Sequence, residues 1–376
     1  MLKKQIIVIL VLCFALSALT ACGPQTTNED GTATPTPETS PAATQTTEPT
    51  AEATASPDAD NAQRDEIQSA LLQSADEVVV TENEVKFQDD SGREPLTIQK
   101  NPERVAVLYG SHACLYTEAG GKVSAGVSSE ELYLEQIGRD IMKDEGVVTV
   151  ATSSSGKTWN VEAILAEQPD LIICSTAMSG YATIAGPAEA ANIPVIALTY
   201  SGVTDYLKWF KVFSAINSDP ELWDSVAMPV AEDITDIILK TREASEKPEI
   251  LALSPGTDAL TAMPASSDMG AIIDQLGGIN LAKAPDAKST SVDIDLEQIY
   301  ALNPEMIFIR CRASEQDAKD ALNNWIDGNP VWDSLDAVKN GKVYYMPMEL
   351  YQYRPNSRYP ESYRMLAELL YPEREF

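Results

Sequence analysis

Two similar segments decide the fold of this chain. The first is Val161-Glu-Ala-Ile-Leu-Ala-Glu-Gln-Pro169-Asp-Leu-Ile-Ile173, and the second, 135 residues later, is Leu296-Glu-Gln-Ile-Tyr-Ala-Leu-Asn-Pro304-Glu-Met-Ile-Phe308. In each segment a helical pattern of apolar residues ends at a proline, and a run of large apolar residues follows. This order predicts a helix, a break and a buried strand. Because the unit occurs once in each half, we expect two similar lobes.

Other buried-strand runs lie on both sides of the first segment. They are Val105–Leu108 before it and Val195–Leu198 after it, and helical stretches separate them. Strands that alternate with helices indicate an α/β fold with a largely parallel sheet. The predicted fold class is therefore α/β, with one Rossmann-like sheet in each lobe.

A helical connector is predicted between the lobes, over residues 205–246. Asp219-Pro220 has the chemistry of a helix start, and apolar residues keep helical spacing from Leu222 to Ile238. Pro229 lies inside this pattern and is expected to kink or split the helix. A single long helix between two lobes implies a stiff connection with restricted opening.

The N-terminus has the pattern of an export signal. Lys3 and Lys4 precede Ile6–Ala21, a mostly apolar run of sixteen residues that is shorter than the roughly 20 needed to span a membrane. The run ends in small residues before Cys22, which resembles the lipobox of bacterial lipoproteins. That resemblance implies a signal peptide over 1–22 and a lipidated Cys22. The alternative is an ordinary signal peptide with an incidental cysteine.

Residues 23–64 are predicted to form a disordered tether. They consist almost wholly of Thr, Ala, Pro, Glu, Ser, Asp and Gln, and they lack aromatic and branched aliphatic residues. A short helix is expected from Asp65 to Ser74. The predicted lobes then cover 65–204 and 247–376, on either side of the connector.

Composition excludes several classes of function. The chain has 376 residues and a formal net charge of -30, which repels phosphate backbones and argues against nucleic-acid binding. Only one histidine, His112, is present, and this disfavours histidine-rich metal sites and serine-hydrolase triads. Cys114, Cys174 and Cys311 are expected to be buried free thiols, with one unassigned disulfide as the alternative.

Several segments in order resemble the substrate-binding proteins of ABC importers for ferric siderophores, haem and vitamin B12. These are residues 85–93, 98–105, 162–173, 276–280, 329–332 and 337–343. The resemblance implies two lobes joined by a long helix, a ligand in the cleft between them, and no catalysis. It also implies an extracytoplasmic, lipid-anchored monomer that delivers a metal chelate to an ABC permease. The protein would need no cofactor, although the ligand that the resemblance implies would itself contain iron or cobalt.

Two other functions are compatible with the same fold. One is an extracytoplasmic sensor or scaffold without a permease. The other is an enzyme on this architecture, which the export signal and the lack of a plausible acid–base set disfavour. The sequence does not distinguish a siderophore, haem or a corrinoid as the ligand.

Charged candidates for ligand contact follow the predicted strands. Arg310 and Arg312 stand at the exit of a second-lobe strand, where their planar guanidinium groups suit oxyanions, or else they pair with neighbouring acids. His112 follows the first strand and is either a haem ligand or part of the cleft wall. Lys157 lies in a Ser-Gly-Lys-Thr stretch, but Ala151 stands where a phosphate-binding loop needs glycine. We therefore interpret that stretch as a polar loop at the mouth of the cleft.

Aromatic candidates suggest a planar or large amphipathic ligand, since Tyr and Trp offer stiff contact area with a polar tip. Packing between the lobes is the alternative for each of them. The candidates are Tyr109, Trp159, Tyr181 and Tyr200 in the first lobe, and Tyr351 and Tyr353, together with the cation Arg354, in the second.

Permease docking is expected to use one acidic side chain on the rim of each lobe, as the family resemblance implies. Glu315, at a helix start just after a strand, is the second-lobe candidate. The repeat aligns it with Gly180, so the first lobe departs from the pattern there. Glu189 and Glu130 are the first-lobe substitutes.

Overall fold

The computed structural model describes residues 57–151, 159–176 and 181–376, with side chains from residue 61 onward. The predicted signal peptide, Cys22, most of the tether, and Lys157 lie outside these ranges. The described helices are α1 (Pro57–Asp76), α2 (Gly110–Glu118), α3 (Glu130–Ile137), α4 (Val161–Ala166), α5 (Tyr181–Ala190), α6 (Val203–Ile216), α7 (Met228–Arg242), α8 (Asp268–Gln275), α9 (Leu296–Leu302), α10 (Glu315–Ile326), α11 (Pro330–Asp333), α12 (Asp336–Lys339), α13 (Met348–Tyr351) and α14 (Tyr359–Leu370).

The described strands are β1 (Val79–Val80), β2 (Glu84–Phe87), β3 (Leu96–Gln99), β4 (Val105–Val107), β5 (Val123–Val127), β6 (Val148–Ala151), β7 (Leu171–Ser175), β8 (Val195–Leu198), β9 (Glu249–Pro255), β10 (Leu260–Ala262), β11 (Ile279–Asn280), β12 (Val292–Asp293), β13 (Met306–Arg310) and β14 (Val343–Met346). Strands β1, β2 and β3 form an antiparallel sheet of their own, ahead of the parallel sheet of the first lobe. Strands β2 and β3 coincide with parts of two segments, 85–93 and 98–105, that resemble the ABC-importer binding proteins.

The first-lobe sheet has the order β6-β5-β4-β7-β8, and every pairing in it is parallel. Strands predicted at 105–108, 171–174 and 195–198 are confirmed, with shifts of one residue at the ends of the first two. Buried, branched residues fill these strands because helices cover both faces of the sheet.

The second-lobe sheet has the order β12-β10-β9-β13-β14, with β11 added to β9. Strands β9, β13 and β14 are parallel to one another. Strand β10 is antiparallel to both of its neighbours, β9 and β12. The predicted repeat is confirmed, because α4 and β7 in one lobe correspond to α9 and β13 in the other. Both repeated strands lie at equivalent places, next to β4 and to β9.

Helix α1 begins at Pro57, eight residues before the predicted start at Asp65, so residues 57–64 are helical rather than part of the tether. Its apolar side chains Ile67 and Leu71 are buried. The helix packs against α6 and α7, and Arg242 of α7 pairs with Glu66 at 3.5 Å. Tertiary packing therefore stabilises a helix start that the local composition disfavours.

The connector range 205–246 contains most of α6 and, after the predicted helix start at Asp219-Pro220, a second helical run. Helix α6 packs against α1 and α2, and the helical run that follows passes through a π-helical turn at Trp223–Ala227 before α7 begins. Pro229 is the second residue of α7, directly after the π turn, so its missing N–H falls where the regular α-helical hydrogen bonding is already interrupted. The change from π to α geometry occurs beside the proline at which the sequence predicts a kink or split.

One apolar core runs beneath both lobes. Trp209 of α6, Ile234 of α7 and Leu366 of α14 belong to a single buried cluster that also includes strands of both sheets. The lobes therefore share a helical layer. Within the described residues, no helix combines the length and apolar character that crossing a membrane requires. Cys114, Cys174 and Cys311 are buried free thiols, as predicted.

Candidate functional site

The candidate site lies where the carboxyl ends of both sheets meet, the usual ligand position in open α/β folds. Tyr109 follows β4, and Tyr200 follows β8 in the first lobe. In the second lobe, Arg310 ends β13. The two edges are in contact, because Nε of Arg354 donates to the backbone carbonyl of Tyr200 at 2.6 Å.

Three arginines form a cluster on the second-lobe side. Strands β9 and β13 are paired in register, so Ser254 and Arg310 lie next to each other. The Ser254 hydroxyl accepts from Arg310 Nη2 and from Arg312 Nε, each at 3.1 Å. Arg354 Nη1 contacts Asp268 Oδ2 at 2.6 Å, and Arg310 Nη1 lies 3.9 Å from Asp268 Oδ1. Three cations and one anion leave this cluster with a formal charge of about +2 at neutral pH.

Two of the three arginines are partly withdrawn from water, with about a fifth to a quarter of the Arg310 and Arg354 side chains exposed, whereas Arg312 is exposed. Burial lowers the pKa of Arg310, and the neighbouring charges of Arg312 and Arg354 lower it further, against the opposing effect of Asp268. For Arg354 burial is the largest single effect and lowers the pKa, but Asp268 acting together with nearby tyrosines outweighs it, so the net shift is upward. From the sequence, Arg310 and Arg312 either contact an oxyanion or pair with neighbouring acids. Arg310 does form a pair with Asp268, at 3.9 Å.

His112 lies in the first turn of α2 and is almost fully buried, with 2% of its surface exposed. Its ring meets Tyr109 edge-on, with 4.8 Å between centroids. Burial, together with the charge of Arg354, lowers the pKa of His112 to about 3. The imidazole is therefore neutral at physiological pH, and it packs beside Tyr109 at the carboxyl end of β4.

Trp159 and Tyr181 are half-buried at the cleft end of the first lobe. Both pack against the apolar cluster that contains Ile164 and Ile184. Their partly exposed side chains leave aromatic surface at the carboxyl end of the first-lobe sheet.

Three of the predicted aromatic contacts have packing roles instead. Tyr200 is buried and donates its hydroxyl to Asn356 Oδ1 at 2.8 Å, across the lobe junction. Tyr351 is buried and donates to the carbonyl of Ser362 at 2.7 Å. Tyr353 is half-buried against the shared core. The structure favours packing, the alternative role, for Tyr200 and Tyr351, because both are buried and their hydroxyls are bonded within the protein.

Sequence reasoning missed two members of the arginine cluster, Ser254 and Asp268. Ser254 lies near the end of β9, so the strand-end rule applied to Arg310 would also have selected it. Asp268 opens α8 after the cap Ser267, and that position carries no sign of a neighbouring arginine in the sequence. Only the tertiary fold brings Arg354, 86 residues away, to this carboxylate.

The acidic rim candidates differ in where they lie. Glu315 is exposed at the start of α10, just after β13, and pairs with Lys319 at 2.5 Å. Glu130 is exposed at the start of α3, just after β5, and pairs with Lys143. Both are therefore near the cleft edges of their sheets. Glu189 lies at the end of α5, which leads into the start of β8, and so belongs to the opposite edge.

A second set of contacts between the lobes, the lobe junction, involves Ser357 and Arg358. Ser357 donates from its hydroxyl and its backbone N–H to Glu118 Oε1 of α2. Arg358 pairs with Glu135 of α3 at 3.0 Å. These contacts join the first lobe to the segment between α13 and α14.

Comparisons with known proteins agree with this architecture. A family model described as periplasmic binding protein matches residues 134–350, more than half of the chain. YfmC of Bacillus subtilis, named as an Fe(3+)-citrate-binding protein, is 26% identical over 263 residues, which are 68% of this chain and 76% of YfmC. YhfQ of the same organism, named as a candidate ABC transporter substrate-binding lipoprotein, is 22% identical over 283 residues, which are 73% of this chain and 84% of YhfQ.

Solved structures show the same fold. The TroA-like periplasmic binding protein FepB from Veillonella parvula matches with a TM-score of 0.60 and 19% sequence identity, over 77% of this chain and 90% of FepB. The predicted two-lobed α/β fold is thus confirmed. The chain belongs to the periplasmic binding protein family, whose members are substrate-binding components of ABC importers and not enzymes.

Proposed function

We propose that the protein captures an anionic ferric complex of the polycarboxylate class, such as ferric citrate, and delivers it to an ABC permease. The observation that carries this proposal is the cluster of Arg310, Arg312 and Arg354 at the cleft. It holds a positive formal charge in a chain whose net charge is -30. Three guanidinium groups concentrated at one place in so acidic a protein favour an anionic ligand.

The chemistry of the two walls supports the same choice. Guanidinium forks match the geometry of carboxylates, and a partly dry setting strengthens each charge-assisted hydrogen bond. Trp159 and Tyr181 add apolar contact from the first lobe. The name of the relative YfmC, an Fe(3+)-citrate-binding protein, supports this ligand class.

Haem is the second candidate, because its propionates also suit arginines and its ring suits an aromatic wall. The burial of His112 disfavours an imidazole ligand to the haem iron in this arrangement. A corrinoid has an amide-rich rim, which offers three arginines less negative charge to neutralise.

Attachment to the membrane through Cys22 is part of the same proposal. The small residues before Cys22 and the core-poor composition of the following segment support it, as does the name of YhfQ as a candidate lipoprotein. The lipid would hold the lobes outside the cytoplasm, close to the permease. A sensor or scaffold without a permease is the remaining alternative.

The test is a binding panel on the purified full-length protein. Thermal shift and calorimetry would compare ferric citrate, haem, cobalamin, and ferric hydroxamate and catecholate complexes. We expect ferric citrate to give the largest stabilisation. Arg310→Ala and Arg312→Ala should each weaken its binding by about 1.5–3 kcal/mol, as for a hydrogen bond to a charged group.

Arg139→Ala is the matched control, because Arg139 is an exposed arginine that pairs with Asp144 away from the cluster. It should leave the affinity unchanged. Binding within about twofold of wild type in both cleft variants, or a clear preference for cobalamin, would contradict the proposal.

A further inference from the structure

We propose that Asp268 sets the charge selectivity of the cleft, as a fixed carboxylate that neutralises one of the three clustered arginines. This inference deepens the proposed function and rests on it for the identity of the ligand class. Its basis is geometric: Asp268 reaches both Arg354 and Arg310, while Arg312 has no contact with it.

The carboxylate is held by its own helix rather than by the arginines alone. Asp268 is the first residue of α8, and its Oδ1 accepts from the backbone N–H of Met269 at 2.8 Å. The Ser267 side chain caps the same helix by accepting from Gly270. A carboxylate in the first turn is also favoured by the helix dipole. With 13% of its side chain exposed, Asp268 has little freedom to swing away when a ligand enters.

The three arginines are therefore unequal. Arg354 has its charge matched by Asp268 at 2.6 Å and its Nε engaged by the Tyr200 carbonyl. Arg310 is only weakly compensated, at 3.9 Å from the same carboxylate. Arg312 contacts the neutral hydroxyl of Ser254. Arg310 and Arg312 are the cations left for a ligand, and Arg354 acts as a positioning residue between the lobes.

A fixed negative charge beside the two available arginines limits how much anionic charge the cleft accepts. Every added negative charge on the ligand is attracted by the arginines and repelled by Asp268. At an effective dielectric constant of about 20, the repulsion from one unit charge is still appreciable several ångströms away, and salt screens it. The carboxylate therefore affects anionic ligands and leaves neutral ones nearly untouched.

The decisive variant is Asp268→Asn, which removes the negative charge and keeps one acceptor oxygen. That oxygen can retain the bond from the Met269 N–H, while the amide NH2 takes the place of the oxygen that accepts from Arg354. We expect affinity for ferric citrate and for free citrate to rise about tenfold. A neutral ferric trihydroxamate complex should bind, or fail to bind, equally in both proteins. The matched control is Asp274→Asn, an exposed aspartate on the same helix, which should change none of these affinities.

Calorimetry on the full-length protein at two salt concentrations provides the readout, and the gain should shrink at high salt. If Asp268 only holds Arg354 in place, Asp268→Asn will lower the anion affinity or leave it unchanged, and either result overturns the inference. If wild type prefers another ligand class but Asp268→Asn still gains affinity for free citrate, the proposed function fails and this inference stands.

Discussion

At the scale of single residues, the most informative group outside the cleft is Glu118 at the lobe junction. It is a partly buried carboxyl whose Oε1 accepts two hydrogen bonds from Ser357 of the other lobe. Burial raises the pKa of Glu118 to about 7, although the bonds from Ser357 act in the opposite direction. In the folded protein this carboxyl therefore keeps a proton that the unfolded chain loses near its ordinary pKa.

The sign of the pH dependence follows from this difference. Between about pH 4.5 and 7 the folded state binds more protons at Glu118, so its contribution to stability falls as the pH rises. His112 acts in the opposite sense, because its lowered pKa makes the folded state lose stability as the pH drops below about 6.5. A measurement on wild type alone would mix the two effects.

Comparing wild type with Glu118→Gln isolates the contribution of Glu118 to the pH dependence of stability, since both proteins retain His112. We expect the unfolding free energy of wild type, relative to the variant, to fall by about 2 kcal/mol between about pH 5.5 and 8.5. Urea denaturation at several pH values provides the measurement. A difference between the two proteins that stays constant with pH would show that Glu118 titrates normally in the fold.

At the scale of secondary structure, the outer strand β8 is protected by the loop that follows β2. Asp89 in this loop is buried, and its carboxylate accepts from the backbone N–H of Ala197 in β8 at 3.1 Å and from Arg93 at 2.6 Å. The backbone N–H of Asp90 adds a bond to the Ala197 carbonyl at 3.0 Å. Covering an edge strand in this way reduces unwanted pairing with other chains.

Asp89 should accordingly contribute strongly to stability. Although burial raises its pKa, hydrogen bonds from Arg93, Ser91 and Ala197 outweigh that effect and lower the pKa. Asp89→Ala removes the buried carboxylate that pairs with the partly exposed Arg93 and leaves the N–H of Ala197 unsatisfied, and we expect a loss of about 3 kcal/mol in unfolding free energy at neutral pH. The loss should diminish in acid, as the wild-type carboxylate is protonated.

Asp144→Ala is the comparison variant, because Asp144 forms an exposed pair with Arg139, and both side chains are about half exposed. Such a pair contributes less than about 1 kcal/mol. Chemical denaturation of both variants measures the two losses in unfolding free energy. Equal losses would mean that the buried bonds to β8 add nothing beyond an ordinary surface pair.

Individual strands and helices are also the features that the sequence predicted best. The strands at 171–175 and 306–310 and their preceding helices follow from local apolar spacing and a proline, which are properties of neighbouring residues. The start of α1 depends on packing with α6 and α7, and so its true position at Pro57 was not predictable from composition. Asp268 was missed for the same reason, because its partner Arg354 is distant in sequence.

At the scale of the whole molecule, the shared helical layer limits how far the lobes can separate. Trp209 and Ile234 lie in the same core as strands of both sheets, so a wide hinge motion would expose apolar surface. Contacts such as Arg358 with Glu135 further join the lobes. Ligand capture is therefore expected to involve small adjustments, and recognition by a permease must depend on surface chemistry more than on a large change of shape.

Surface chemistry of that kind points to Glu315 and Glu130, which stand at the cleft edges of the two lobes. The charge of Glu315 is partly compensated by Lys319 on the same helix, so the rim is less negative than the sequence alone suggests. Rim charges chiefly accelerate association and make it sensitive to salt. Reversing one of them should therefore impair delivery without changing capture.

Glu315→Lys provides the test. We expect ferric citrate uptake by cells to slow by about fivefold or more, with binding in solution unchanged, because the introduced lysine would repel a basic pocket on the permease. The control is Glu368→Lys, an equal charge reversal at an exposed position of α14, remote from the cleft edges. It should leave uptake intact. Equal uptake by the two variants at low permease levels would remove Glu315 from the docking surface, whereas a loss restricted to Glu315→Lys would place the permease on this rim.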